Sequence, residues 1–385
     1  MKHILDSVRP SFTIHALALA LAVTGGAPRG MAQEGKGESV IQKATEQFEN
    51  SPLKTISLDK DIFMFSGDGG NVIAIVAEGS SLLIDSGVNS RVSELSEAIY
   101  KATSRPVTRL VSTHWHFDHT GGNVYFGSAG VEIIAQENVR KRLASPQNLS
   151  LIGLHDGPCP PQALPTVSYS STMALSQGSQ RLTLVNYGPA HTDGDTVIYI
   201  NPANVAVVGD ISSNHVYPII DLSSGGSING LIRSLDQILA QTDEQTKIVP
   251  GHGPLATRAD LHDYRDMLVQ VRQRIELLIA AGKTIDEAVA AAPTKDFDSK
   301  WGRGYVTPDV FTRLVFSSLT LPSSGGGSSL PEGRTLQLDD VNAATFYEGQ
   351  RHSPPWCPTN LDRRDPSAYQ TSRNPPEKNL ELLTD

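Results

Sequence analysis

Apolar positions in this chain recur either at every second residue or at every third and fourth, and the two spacings take turns along it. Short apolar runs come first: Ile62 to Phe65, Asn71 to Ala77 and Ser81 to Asp85, broken by Gly-Asp-Gly-Gly and Glu-Gly-Ser turns. They predict an antiparallel meander. Residues 93–102 then take helical spacing, with Leu95, Ala98 and Ile99 on one face. Val107 to Ser112 reads as a strand, Val131 to Ala135 as another, and 136–143 as a helix. The stretch 144–180 carries several prolines and serines without a clear period and is expected to be a long surface excursion. The strand pattern resumes at Arg181 to Asn186, Thr196 to Ile200 and Val205 to Val208. A helix over 228–240, a short buried strand at 247–249 and a long helix over 259–281 follow. The long helix repeats Leu261, Tyr264, Leu268, Val271 and Ile275, and further helices are expected at 284–292 and 310–319. Strands with helices between and after them, given twice, predict an α/β fold. Its form would be two sheets packed together with helices outside, a four-layer αββα sandwich.

The two ends differ from the middle. Lys2 and Arg9 precede a short apolar stretch, Thr13 to Thr24, interrupted by His15; Gly30 and Ala32 then supply the small residues of a cleavage site. Residues 1–32 are therefore read as a signal peptide. The stretch is too short to span a bilayer core of about 30 Å, so no stable membrane insertion is expected. The mature protein is expected to be exported, periplasmic or secreted. Residues 33–55 are polar and read as a flexible lead-in with a short helix at Val40 to Phe48. Residues 56–321 read as the folded domain. Residues 322–385 carry Ser-Ser-Gly-Gly-Gly-Ser-Ser near their start and read as a disordered tail.

Composition narrows the partners. A chain of 385 residues with 39 % hydrophobic content can bury a substantial core. A formal charge of −9 argues against a nucleic-acid partner, which calls for a basic patch, and leaves a small molecule as the expected one. The sequence assigns no oligomeric state. Cys159 and Cys357, each followed by proline, fit either one disulfide or two unpaired thiols.

The chemistry gathers at Thr113 to Gly122, where His114, His116, Asp118 and His119 fall in the order H-x-H-x-D-H. On an extended segment residues two apart share a side, so His114 and His116 can reach one metal ion together. Asp118 and His119, past the bend, can face a second. Gly121 and Gly122 are expected to let the backbone turn tightly beneath them. Imidazole and carboxylate are the ligand set of catalytic zinc. Downstream, His191 in Gly-Pro-Ala-His-Thr-Asp-Gly-Asp, Asp210 after Val-Ala-Val-Val-Gly, and His252 in Pro-Gly-His-Gly-Pro each follow a strand beside glycine. Strand ends of this kind can offer side chains to a shared site.

Taken together, these motifs resemble the metallo-β-lactamase superfamily across roughly residues 55–255, including Asp85 in Ile-Asp-Ser-Gly, which in that family supports the metal loop. The resemblance implies the αββα fold. It also implies that His114, His116 and His191 hold a first zinc, that Asp118, His119 and His252 hold a second, and that Asp210 bridges them. Two such ions would lower the pKa of a bridging water and give hydroxide near neutral pH, with Asp118 or Asp210 steering the proton. The implied activity is binuclear zinc-dependent hydrolysis of an ester, lactone, thioester or lactam, with iron or manganese as other metals the site could take.

The acid at position 210 resembles glyoxalase II-like thioesterases and acyl-homoserine lactonases rather than the well-known β-lactamase branches. The basic C-terminal region of true glyoxalase II is not found, since Tyr305 to Leu319 holds only Arg313. The pattern as a whole resembles the exported metallohydrolases of the quinoprotein-relay and SoxH-like groups. Alternatives are an iron-dependent oxidoreductase like the persulfide dioxygenases, a β-lactamase, and a non-catalytic metal-binding or scaffold protein. His215 and Tyr217, close behind Asp210, are candidate pocket residues. The segment Asp221 to Ser227 could be an anion-accepting turn or a helix N-cap. Trp115 and Phe117 are expected to pack beneath the metal loop or rim the cleft.

Overall fold

Strands buried on both faces explain why the sequence runs almost unbroken in valine, isoleucine and leucine where a half-exposed strand would alternate. Neighbouring residues serve different cores. In the strand Val205–Ser213, Val205 and Val207 face the other sheet while Ala206 and Val208 pack beneath helices. In Ser80–Ile84, Leu82 and Ile84 face inward and Leu83 outward.

The computed structural model describes residues 40–67, 69–149, 154–156 and 158–321. The segments read as signal peptide and tail lie outside these residues, as does Cys357; Cys159 is disulfide-bonded. The strands are β1 (Lys54–Asp59), β2 (Ile62–Ser66), β3 (Val72–Ala77), β4 (Ser80–Ile84), β5 (Val107–Val111), β6 (Glu132–Gln136), β7 (Gln147–Leu149), β8 (Leu154–Asp156), β9 (Val167–Tyr169), β10 (Thr172–Gln177), β11 (Gln180–Val185), β12 (Val197–Asn201), β13 (Val205–Ser213) and β14 (Lys247–His252). The helices are α1 (Val40–Asn50), α2 (Val92–Thr103), α3 (Phe117–Thr120), α4 (Asn123–Ser128), α5 (Glu137–Leu143), α6 (Ile228–Gln241), α7 (Arg258–Ala280), α8 (Ile285–Ala290), α9 (Asp298–Trp301) and α10 (Pro308–Thr320).

One sheet runs β1-β2-β3-β4-β5-β6-β9, antiparallel up to β4 and parallel from there. The other runs β10-β11-β12-β13-β14, antiparallel except for the parallel pair β13 and β14. Residues such as Met64, Ile73 and Ile84 of the first sheet meet Leu184, Ile198 and Val249 of the second. Leu95 and Ile99 of α2 cover the outer face of the first sheet, and α6, α7 and α10 cover that of the second. The order helix, sheet, sheet, helix is the four-layer αββα sandwich expected. Local signals agree with it. Ser227 caps α6, and capping boxes Thr257/Asp260 and Thr284/Glu287 start α7 and α8. Among the described residues no helix is long and apolar enough to cross a membrane.

Several boundaries differ from expectation. The folded domain reaches back into the stretch read as a lead-in, where α1 buries Ala44 and Phe48 and β1 begins at Lys54. β1 is an exposed edge strand with little apolar content, so its pattern was faint. The stretch read as a surface excursion holds β7 to β10, of which β9 extends the first sheet and β10 edges the second. Three-residue strands are too short to show a period. β13 continues past Val208 through Asp210 to Ser213, because Gly209 and Asp210 resemble a turn but sit in an irregular parallel ladder.

Candidate metal centre

Parallel strands bring the candidate ligands to one end of the sandwich. β4 and β5 lie side by side and end at Ile84 and Val111, so the residues after them, Asp85 and the loop of His114, start adjacent. The Asp85 amide donates to the Val111 carbonyl at 2.8 Å. Asp85, at φ 63°, accepts hydrogen bonds from the Thr113 amide (2.7 Å), the Thr113 hydroxyl (2.8 Å) and His119 Nδ1 (2.8 Å). It thus ties both ends of the metal loop to the sheet. Gly121 and Gly122 do something other than turn the chain: both have helical φ, and a Cβ on either would collide with backbone atoms of Asn89 or Ser86. They permit close packing.

The second sheet supplies the rest. His191 follows β11, Asp210 lies within β13 beside Gly209 at φ 52°, and His252 ends β14. Asn71 fastens the end of β14, its Nδ2 donating to the carbonyls of Pro250 (2.9 Å) and Gly253 (3.0 Å) and its amide to that of Gly251 (2.8 Å). Asp195 shapes the His191 turn by accepting the amides of His191 (2.7 Å) and Thr192 (2.9 Å) and the Thr192 hydroxyl (2.5 Å).

The seven residues gather into two groups whose ligand atoms lie within 4.8 Å of one another: His114, His116, His191 and Asp210, and Asp118, His119 and His252. In the first, His191 Nε2 is 2.9 Å from His116 Nδ1 and 3.6 Å from Asp210 Oδ2, which is 3.9 Å from His114 Nε2. In the second, His252 Nε2 is 3.0 Å from Asp118 Oδ2 and His119 Nε2 is 3.7 Å from it. Asp210 reaches across: Oδ1 is 3.1 Å from His119 Nε2 and Oδ2 is 3.3 Å from His252 Nε2.

The donor set fits divalent cations. Nε2 of His114 is enclosed and, among the described residues, has no hydrogen-bond partner, while Nε2 of His119 and Oδ1 of Asp210 are enclosed with only each other, at 3.1 Å, outside hydrogen-bond geometry. Polar atoms left so in a dry interior are costly unless something ligates them. The opposite ring nitrogens of four histidines are engaged: His114 Nδ1 with the Thr113 hydroxyl (3.0 Å), His116 Nε2 with Asp221 (3.1 Å), His119 Nδ1 with Asp85, and His191 Nδ1 with the Ile219 carbonyl (2.8 Å). Such partners fix which nitrogen faces a metal.

Electrostatics divides the two groups. Burial, aided by the neighbouring His119, holds His114 well below the usual imidazole range, and burial brings His191 to about 4. Those rings are neutral and ready to ligate. For His252, burial is outweighed by Asp210 and Asp118, which raise it to about 9; His119 is raised well up by Asp210, Asp118 and Asp85 against the same burial. Asp118 and Asp210 are held low although burial opposes it, chiefly by His119 and His252. Without metal, the second group is a buried cluster of ion pairs.

Asp221 carries a role that the sequence left open. It is buried, and the amides of its turn are not left free for an external anion. Instead it accepts the amides and hydroxyls of Ser223 and Ser224 and holds His116. The signal was the Asp-x-Ser-Ser spacing, which builds a turn around its own carboxylate. Trp115 lies beneath the loop, buried with Ala135, Val139 and Leu143, its indole N–H donating to the Ser224 hydroxyl at 3.0 Å. Tyr217, a candidate for the pocket, is instead a core residue. Its ring stacks on Phe311 and its hydroxyl donates to Asp298 at 2.8 Å, so neither end is free for a ligand. His215 is exposed, at φ 69°, and belongs to neither ligand group.

Two aromatic residues missed by sequence reasoning flank His252. Phe48 of α1 stacks on its ring at 5.7 Å between centroids, and Tyr305 meets it edge-on at 5.9 Å. Arg91 fixes the chain beyond Phe48, its Nη1 donating to the carbonyls of Phe48, Ser51 and Gly67. Burial, then the charges of Asp210 and Asp118, push the Tyr305 hydroxyl well up.

A two-sheet sandwich with paired histidine and carboxylate clusters at one end defines an α/β domain with a candidate two-metal site. Residues 66–252 match the family model of the Metallo-beta-lactamase superfamily. The chain is similar to "Metallo-beta-lactamase type 2" of Bacteroides fragilis, 21 % identical over 184 residues, spanning 48 % of this chain and 68 % of that protein. It is also similar to "Metallo-beta-lactamase type 2" of Bacillus cereus, 22 % identical over 233 residues, 60 % of this chain and 86 % of that one. Among solved structures, a metallo-beta-lactamase from Pontibacter korlensis aligns with a TM-score of 0.49 at 18 % identity, covering 56 % of this chain and 99 % of that one. DIM-1 metallo-beta-lactamase aligns with a TM-score of 0.46 at 17 % identity, covering 57 % and 98 %.

Proposed function

We propose that this protein is a binuclear zinc-dependent hydrolase acting on a small carbonyl substrate: an ester, lactone, thioester or lactam. The observation that carries the reading is Asp210, whose two oxygens approach both ligand groups, 3.1 Å from His119 and 3.6 Å from His191. His114, His116 and His191 would hold one ion and Asp118, His119 and His252 the other, with Asp210 shared. When bound, such a pair polarises a carbonyl and acidifies water to near neutrality. The protein keeps the four ring tautomers fixed through Thr113, Asp221, Asp85 and the Ile219 carbonyl. Asp118 would take the proton released by attacking water. The reading also includes export through residues 1–32, which N-terminal sequencing of the mature chain tests.

A second reading, a lactam as the preferred substrate, draws support from the names of the curated relatives. Metal analysis of protein purified without added metal should find about two zinc ions per chain. A screen of p-nitrophenyl esters, lactones, thioesters and a chromogenic cephalosporin then names the substrate class. Asp118→Asn and Asp210→Asn should each remove turnover while leaving the circular-dichroism spectrum intact. One iron per chain, or undiminished turnover in both variants, would overturn the proposal.

A further inference from the structure

Tyr305 is more than 250 residues from Phe48 in the chain, yet both close on the same ligand, His252. Neither lies within residues 66–252, the part matched by the family model. Tyr305 is 8 % exposed, its ring wedged edge-on against both His252 and Phe48. The ring is therefore held, which fixes where the hydroxyl points. Among the described residues that hydroxyl has no hydrogen-bond partner, and it is not one of the fully enclosed polar atoms. Its ring centroid lies 5.9 Å from that of His252, so it stands beside the ligand cluster. An oriented donor that is nearly buried, unpartnered and open on one side is placed for an incoming ligand.

We propose that Tyr305 contacts the substrate, its neutral O–H donating to the substrate oxygen that gains negative charge during the reaction, with Phe48 as the apolar backing of the same subsite. The inference rests on the hydrolase reading. It predicts substrates that place an oxygen next to His252 with an apolar group alongside. Removing one preorganised donor of this kind costs about 100- to 1,000-fold in kcat when the site is sealed. For a hydroxyl open on one side the loss is roughly 10- to 100-fold, with KM nearly unchanged because the contact strengthens only as charge develops.

The test compares metal-loaded wild type with Tyr305→Phe, which keeps the ring and removes only the hydroxyl. Hydrolysis of p-nitrophenyl acetate gives kcat and KM, calorimetry gives the affinity for inorganic phosphate as a tetrahedral anion, and metal content is measured on the same samples. The expected result is normal metal content, a kcat lower by about tenfold or more, and weaker phosphate binding. Unchanged kcat together with unchanged phosphate affinity overturns the contact. So does loss of metal in the variant, which would make Tyr305 a support for His252, and so does a wild type that takes up no phosphate. A fully loaded wild type that hydrolyses none of the screened substrates sinks the hydrolase reading separately, while the phosphate titration still decides the contact.

Discussion

Replacing Asp221 with asparagine removes a charge without removing bulk, one bond away from a metal ligand. Oδ2 of Asp221 accepts from His116 Nε2 at 3.1 Å and from the Ser224 hydroxyl. Oδ1 accepts the Ser223 amide (3.1 Å), the Ser223 hydroxyl (2.5 Å) and the Ser224 amide (3.2 Å). Despite burial, His116 and the two serines hold this carboxyl well below its usual range, so it is an anion at every ordinary pH. An amide has one acceptor oxygen. If that oxygen stays with the serine amides, its NH2 faces the N–H of His116, donor against donor. A hydrogen bond to a charged group contributes about 1.5–3 kcal/mol net, which is roughly a 10- to 100-fold change in an equilibrium constant. Partners behind metal ligands elsewhere cost about the same when changed, 10- to 100-fold in affinity. Chelator competition resolves the two binding steps. The weakening should be confined to the ion held by His114, His116 and His191. Two unchanged steps, or two steps weakened equally, would show that Asp221 does not act through His116.

Two further predictions use other parts of the site. Gly251→Ala would drive a Cβ into Asp210 Oδ1, so Asp210 must leave its position between the groups; metal stoichiometry by elemental analysis should fall below wild type, and a variant with full metal content refutes the packing argument. Metal uptake should depend on pH in a stated direction. His252 has its folded pKa raised to about 9, so it carries a proton at neutrality that the metal must displace, while Asp118 and Asp210 are already ionised. Affinity should therefore rise by at least about tenfold per pH unit between pH 6 and 8 and be accompanied by proton release into the buffer. A flat profile over that window would refute it.

The sequence singled out the seven residues that cluster and said little of their surroundings, for a physical reason. The candidate ligands lie in short motifs in or just after strands, with glycines close by, so local spacing alone singled out His114 through His119, His191, Asp210 and His252. The layered fold was legible because β3, β4 and β13 have to be apolar on both faces. What failed depended on contacts distant along the chain. β9 has three residues and is a strand because β6 is beside it. Phe48 lies in a stretch that reads as polar lead-in, and only the folded chain brings it to His252. Tyr217 is next to the ligands in sequence but points into the helical layer, a matter of direction that adjacency does not specify. Gly121 and Gly122 were noticed for the right residue type and the wrong property, since what they provide is closeness of backbones.

The ligands are divided between the two sheets. The loop of His114 to His119 grows from the first, while His191, Asp210 and His252 belong to the second. Ions held between them would therefore be rivets through a seam, and the free energy of binding them would also clamp one half of the sandwich to the other. Chelation would loosen a joint as well as stop the proposed hydrolysis. A cut in the short link between β9 and β10, where the chain passes from one sheet to the next, should lower the melting temperature of the domain further once the metal is chelated than while it is bound.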